Sequence, residues 1–205
     1  MPGLFLSLDG IDGTGKSTQV RMLADWLESQ GRRVVRCADP GGTPIGDALR
    51  ALVLDHRREM TVLCEALVFM ASRAELVARM IRPALDCGAI VVCDRFLLAT
   101  IVYQGYGGGL DVDQLWHVGR LAAGIEPALT LVLDLPVDRA QARRGRQPDR
   151  MERRDFDYHE RVRQGFLREA GKRSDAIRVI DAAESSDRVH EKIVEAVRPL
   201  LPPLH

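Results

Sequence analysis

Short apolar runs alternate along the chain with longer stretches in which apolar residues recur every three or four positions. That rhythm predicts strands followed by helices, and so βα units laid into a parallel sheet. The runs place strands over residues 4–8, 33–37, 89–93, 129–133 and 177–180. Between the first two, Val20, Leu23, Trp26 and Leu27 keep helical spacing over residues 17–30, and Gly31 supplies a stop. Residues 63–85 predict a long helix whose apolar positions, Leu67, Phe69, Met70, Leu76, Val77, Met80 and Ile81, cover more than one face. Such a helix either crosses a core or meets a partner. Further helices are expected over 112–123, 137–144 and 188–201, and the glycines of 105–109 predict a loop. Residues 143–154, RRGRQPDRMERR, form a dense basic run that interrupts this order. The pattern predicts a doubly wound α/β fold: a five-stranded parallel sheet with helices on both faces, and a basic lid at about 143–154.

Composition narrows the picture. A chain of 205 residues, 46% hydrophobic and 28% charged, suits one globular domain over 1–205 and excludes disorder and small disulfide scaffolds. Lys and Arg number 29 and Asp and Glu number 29, a net charge of +0, so no global field attracts nucleic acid and any anion must be held by a local site. Cys37, Cys64, Cys87 and Cys93 show no CxxC pairing and are expected to be reduced core thiols of a cytoplasmic protein. The first apolar run breaks at Ser7 and lacks a basic flank, which argues against a signal peptide and against membrane insertion. The five histidines show no metal spacing.

The chemistry starts at Gly10-Ile11-Asp12-Gly13-Thr14-Gly15-Lys16-Ser17-Thr18, which contains GxxxxGK[ST] between an expected strand and an expected helix. Glycines let the backbone curl around an anion, N–H groups point into the curl, and the helix adds the positive end of its dipole. Lys16 would place a charge on the β and γ phosphates of ATP, and Ser17 would offer its hydroxyl to Mg²⁺. A carboxylate near the metal is also needed. Asp94 and Asp134 both end apolar runs. Asp94 is preferred because Arg95 follows it at once, leaving Asp134 to cap the next helix or support the site from behind.

Asp12, the segment Asp39-Pro40-Gly41-Gly42-Thr43, Phe69 with Arg73, the segment Asp94-Arg95-Phe96 followed by Thr100, Tyr103 and Gln104, and Asp149-Arg150-Met151-Glu152 stand in an order that resembles the bacterial thymidylate kinases. The resemblance runs from the first strand to the last helix. It implies a P-loop kinase domain, Mg²⁺-dependent transfer of the γ-phosphoryl group of ATP to thymidine monophosphate, and a homodimer, for which the broad apolar surface of residues 63–85 also speaks. It further implies that Asp12 accepts the sugar 3′-hydroxyl, Arg73 and Arg95 grip the acceptor phosphate, Phe69 stacks on thymine, Thr100 and Gln104 meet the base edge, and Tyr103 closes the sugar side. Pro40 belongs to the acceptor-binding set and is a candidate for a cis peptide. Gly13, Thr14 and Gly15 leave no arginine inside the P-loop, so the catalytic arginine is expected from the lid, Arg150 first and Arg146 second. Asp39 stands where many relatives have Glu, and Ala99 replaces a common serine. The adenine site is sought at Ala182-Ala183. The rival readings are a kinase for another nucleotide or nucleoside and a non-catalytic nucleotide switch. Against the switch stands the acceptor constellation, which a switch does not need.

Overall fold

The computed structural model describes residues 3–55, 57–143 and 150–203. Its strands β1 (Leu4–Asp9), β2 (Val34–Ala38), β3 (Ile90–Asp94), β4 (Leu129–Asp134) and β5 (Ile177–Asp181) form one sheet in the order β2-β3-β1-β4-β5, with every pairing parallel. All six residues of β1 are buried, and so are all of β4 except Asp134. Successive strand side chains point to opposite faces, so burial of both sets means both faces of the central strands are covered. Ser7, the polar break in the first apolar run, lies fully buried and shares a hydrogen bond of 2.9 Å with Thr130 on the neighbouring strand. Each hydroxyl thereby satisfies the other.

The helices are α1 (Lys16–Ser29), α2 (Pro44–Leu54), α3 (Val62–Leu76), α4 (Arg82–Asp86), α5 (Leu97–Thr100), α6 (Val112–Ala123), α7 (Val137–Ala142), α8 (Phe156–Lys172) and α9 (Ser186–Val197). The long expected helix is present as α3 and α4 joined through a π-helical turn, Val77–Ile81. Two expectations need correction. Residues 105–107 are not loop: a π-helical stretch, Ile101–Gly107, prolongs α5 through the first glycines, because Gly107 lets it press against α8, where a Cβ would lie 2.7 Å from Tyr158. The thiols are not all core residues either. Only Cys93 is buried, Cys37 is intermediate, and Cys64 and Cys87 are exposed, since they fall on outward positions of α3 and just past α4. Helix α2 was not among the expected helices, although its start is marked by Thr43, whose side chain accepts from the Gly46 N–H, and by Pro44 at its first position. No helix of the described residues is long and apolar enough to cross a membrane.

Candidate active site

β1 and β3 are neighbours in the sheet, so the loops that leave their carboxyl ends lie side by side, and functional groups far apart in sequence meet there. After β1 the chain curls through Gly10–Gly15 into α1. Among the helices of more than ten residues, α2, α3, α6, α8 and α9 each have a side chain on their first-turn N–H groups, whereas α1 begins at Gly15, φ 93°, without one. Its N–H groups and the positive end of its dipole are left for an anion. Gly13, also at φ 93°, packs so closely on α7 that a Cβ would lie 2.0 Å from the Ala140 carbonyl oxygen. An arginine at that loop position would displace α7, which is a physical reason for the catalytic charge to come from elsewhere.

A cavity of about 700 Å³ opens in front of this loop. Asp12, Gly13, Gly15, Lys16, Ser17 and Thr18 line one side, and Asp94 and Arg95 the floor. Pro40, Phe69, Arg73, Thr100, Tyr103 and Gln104 line the other side. Gly10 and Thr14 stand behind the lining. The Gly10 carbonyl accepts from Arg95 Nη1 at 2.9 Å, and Thr14 Oγ1 donates to the Ile11 carbonyl at 2.9 Å, so both shape the loop from within.

Ser17 Oγ donates to Asp94 Oδ2 at 2.7 Å, which puts a hydroxyl and a carboxylate oxygen together at the mouth of the loop. Hard oxygens of this kind, one or two in number with the remaining positions left to phosphate and water, suit Mg²⁺. Asp134 does not cap the next helix. Both its oxygens are taken by Arg163, at 2.8 and 2.9 Å, and α7 is preceded by Pro136 with no side-chain cap.

Arg95 sits at φ 68°, a backbone conformation held by its surroundings. Its guanidinium reaches Asp12 Oδ1 at 2.5 Å and the Tyr103 hydroxyl at 3.1 Å, and that hydroxyl donates to Asp12 Oδ2 at 3.0 Å. Burial works to raise the Asp12 carboxyl, but Arg95 and Lys16, with the hydrogen bonds from Arg95 and Tyr103, outweigh it and hold the group well below the usual carboxylate range. Lys16 is brought down to about 8 by burial and by Arg95, against the pull of Asp12, and its Nζ rests on the Ile11 carbonyl at 2.8 Å.

Arg73 is 1% exposed, and its Nε donates to Asp39 Oδ2 at 2.5 Å while Nη2 reaches Thr100 Oγ1 at 2.9 Å and the Phe96 carbonyl at 3.2 Å. Nη1 has no partner. Asp39, for all its shortness, therefore has a direct role in orienting Arg73. The Asp39–Pro40 peptide is cis.

The lid expectation changes in its details. Arg146 lies outside the described residues. Arg150 is not among the cavity-lining residues: its Nη2 donates to Glu65 Oε2 at 2.5 Å and its Nε to the Val53 carbonyl at 2.8 Å. A buried carboxylate on α3 captures it because a guanidinium fork satisfies both acceptors at once. Arg143, at the start of the lid, does line the cavity. At the expected adenine site, the Ala182 and Ala183 carbonyls accept from Arg143 and Arg139 at 2.9 and 3.4 Å, and neither alanine lines the cavity.

Sequence reasoning missed two residues. Asp9 ends β1, is completely buried, and has no hydrogen-bond partner on either oxygen. Burial raises its carboxyl to about 7, against Arg95 and Lys16 and with help from Asp94. A carboxylate closing an apolar strand directly before the P-loop was the available signal. Glu65 is 1% exposed and joins Gln104, Arg150 and Arg154. No spacing rule reaches partners 39 and 85 residues away.

Comparison with known proteins identifies a family. A family model described as Thymidylate kinase matches residues 8–193. A thymidylate kinase of Rhodopirellula baltica is 48% identical over 193 residues, covering 94% of this chain and 79% of that one. One from Symbiobacterium thermophilum is 45% identical over 202 residues, covering 97% and 94%. The crystal structure of thymidylate kinase from Ehrlichia chaffeensis superposes with a TM-score of 0.81 at 31% identity, covering 97% of this chain and 99% of that chain.

Proposed function

Because this chain belongs to the thymidylate kinase family and transfers the γ-phosphoryl group of ATP to thymidine monophosphate, giving thymidine diphosphate and ADP, we propose that both substrates meet in the cavity between the P-loop and α3. The observation that carries this is the shared lining: the anion-binding loop and the acceptor constellation face one continuous space of about 700 Å³. The P-loop N–H groups, from Gly10 to Thr18, cradle the donor phosphates, and Lys16 leaves the Ile11 carbonyl to meet them. Ser17 and Asp94 would hold Mg²⁺, which would supply positive charge to offset that of the donor phosphates. On the acceptor side, Arg95 reaches the monophosphate, while Asp12 and Tyr103, already locked together with it, meet the sugar. Phe69 covers one face of the base. Arg73, fixed beside Thr100 and Asp39, keeps Nη1 unpartnered as a donor for the acceptor's phosphate.

The protein contributes position and preorganised charge without a covalent intermediate. Lid charge comes from Arg143, which already lines the cavity, and from Arg146, while Arg150 anchors the lid on α3. The chain forms one kinase domain with its lid at about 143–154. A homodimer is supported by half-exposed Leu63 and Leu67 on α3 and by Leu121 on α6, and a cytoplasmic location by four free thiols. Neither rival reading gains support. The test is kcat/KM across an acceptor panel: thymidine monophosphate should lead, deoxyuridine monophosphate follow within about tenfold for want of one methyl, and cytidine, purine and ribose forms fall further behind. Equal use of a cytidine or guanosine acceptor would overturn the placement of Phe69, Thr100 and Gln104 around the base.

A further inference from the structure

Gln104 lies on the π-helical stretch, 1% exposed, at the edge of the cavity. Its Nε2 donates to Glu65 Oε1 at 2.7 Å, and its Oε1 is buried without a partner. Glu65 is 1% exposed, and its second oxygen accepts from Arg150 Nη2 at 2.5 Å, with Arg154 Nη2 3.6 Å away. A carboxylate facing two guanidiniums only accepts, so Gln104 can approach it only through its NH₂.

We propose that Glu65 is a positioning residue for the acceptor base: by holding the NH₂ of Gln104 it fixes the amide plane so that the unpartnered carbonyl is the acceptor Gln104 presents to the base. The site then reads a pyrimidine that donates at N3, as thymine and uracil do, and rejects cytosine, whose N3 is an acceptor. This rests on the reading of Gln104 as a base contact. The consequence is that pyrimidine choice is set by a chain of charge, from the lid arginines through Glu65 to Gln104, and not by Gln104 alone. A buried acceptor left facing another acceptor loses its hydrogen bond and leaves both atoms desolvated, which corresponds to roughly 10- to 100-fold in kcat/KM.

Glu65→Gln tests the orientation directly. Arg150 needs an acceptor, so the new amide presents its oxygen to Arg150 and its NH₂ to Gln104, which must turn over and offer NH₂ to the base. The ratio of kcat/KM for thymidine monophosphate to that for deoxycytidine monophosphate should shrink by about 10- to 100-fold, chiefly through KM. Glu65→Ala frees the amide without forcing it and should give an intermediate ratio. Because both substrates see the same enzyme, the ratio does not depend on how much of a variant folds. In a Gln104→Ala background, Glu65→Gln should change the ratio no further. An unchanged ratio in Glu65→Gln, or the same change with Gln104 already removed, would overturn the proposal. A wild type that does not distinguish the two acceptors, or a Gln104→Ala enzyme as selective as wild type, would instead remove the base-contact reading beneath it.

Discussion

Lys16 and Asp9 show how one loop carries opposite electrostatic demands. Lys16 is buried against a carbonyl and tuned down to about 8, so it holds its charge weakly until phosphate arrives. A charge fixed opposite developing phosphoryl charge acts mainly in the transition state, and Lys16→Ala should lower kcat by about 10²- to 10³-fold while the thermal midpoint stays near that of the wild type. Near-normal turnover of the folded variant would refute its assignment. Asp9 is buried with both oxygens unpartnered and with Arg95, Lys16, Asp94 and Arg73 around it. Its folded value, about 7, exceeds the unfolded value of 3.8, so between these the native state holds a proton that the unfolded chain has released. Stability should therefore fall as pH rises from 4 to 7, by on the order of 4 kcal/mol across the window. The depressed Asp12 carboxyl acts below that window, since its contribution is lost only as pH falls under the unfolded value. Urea unfolding of the ligand-free protein at pH 5 and pH 8 should show this decline, and Asp9→Asn should lessen it, leaving the same-sign part from the raised, buried Asp39 carboxyl; parallel pH profiles for both proteins would exclude Asp9 as a cause.

Between elements, the ion pair of Arg150 with Glu65 ties the turn at residues 150–153 to α3 and, through the Val53 carbonyl, to the end of α2. Arg150 is 11% exposed and Glu65 1%, so removing the guanidinium strands a buried carboxylate that Arg154 shields only partly. Breaking such a pair from one side costs about 3 kcal/mol. Arg150→Ala should lower the unfolding free energy by that amount in urea titrations and should reduce kcat as the lid loses its anchor. Unchanged stability would mean that Arg150 is free of Glu65 in solution. The close approach of α8 to the π-helical stretch at Gly107 adds a second tie: the Tyr158 hydroxyl donates to the Tyr103 carbonyl at 2.9 Å.

At the scale of the whole molecule, several of the exposed apolar residues lie on adjoining helices. Leu63 and Leu67 are 56% and 50% exposed on α3, Leu121 is 82% exposed on α6, and α3 packs beside both α6 and α2, where Ile45 is 57% exposed. Apolar residues exposed on neighbouring helices suit a self-complementary two-fold contact. Light scattering at micromolar concentration should report a dimer for the wild type and a monomer for Leu67→Glu combined with Leu121→Glu; a wild-type monomer would remove the claim. Burial of this face would also brace α3, which carries Glu65, Phe69 and Arg73 to the cavity.

The sequence by itself determined whatever depends on near neighbours. Strand positions were legible to within a residue or two, because a parallel strand buried on both faces must be largely apolar, as β1, β3 and β4 are. The P-loop was legible because its glycines, lysine and serine act within one turn of chain, and so was Asp94, which directly precedes Arg95 at the end of a strand. Only the tertiary structure decided between partners that lie far apart in the chain. It gave Asp134 to Arg163, Arg73 to Asp39 and Thr100, and Arg150 to Glu65. A charged side chain advertises its charge in the sequence but not its counter-ion, since the counter-ion is whatever the strand order brings within a few ångströms. The same reason hid Asp9, whose unusual state comes from complete burial, and the orientation of Gln104, which is set by a carboxylate 39 residues away.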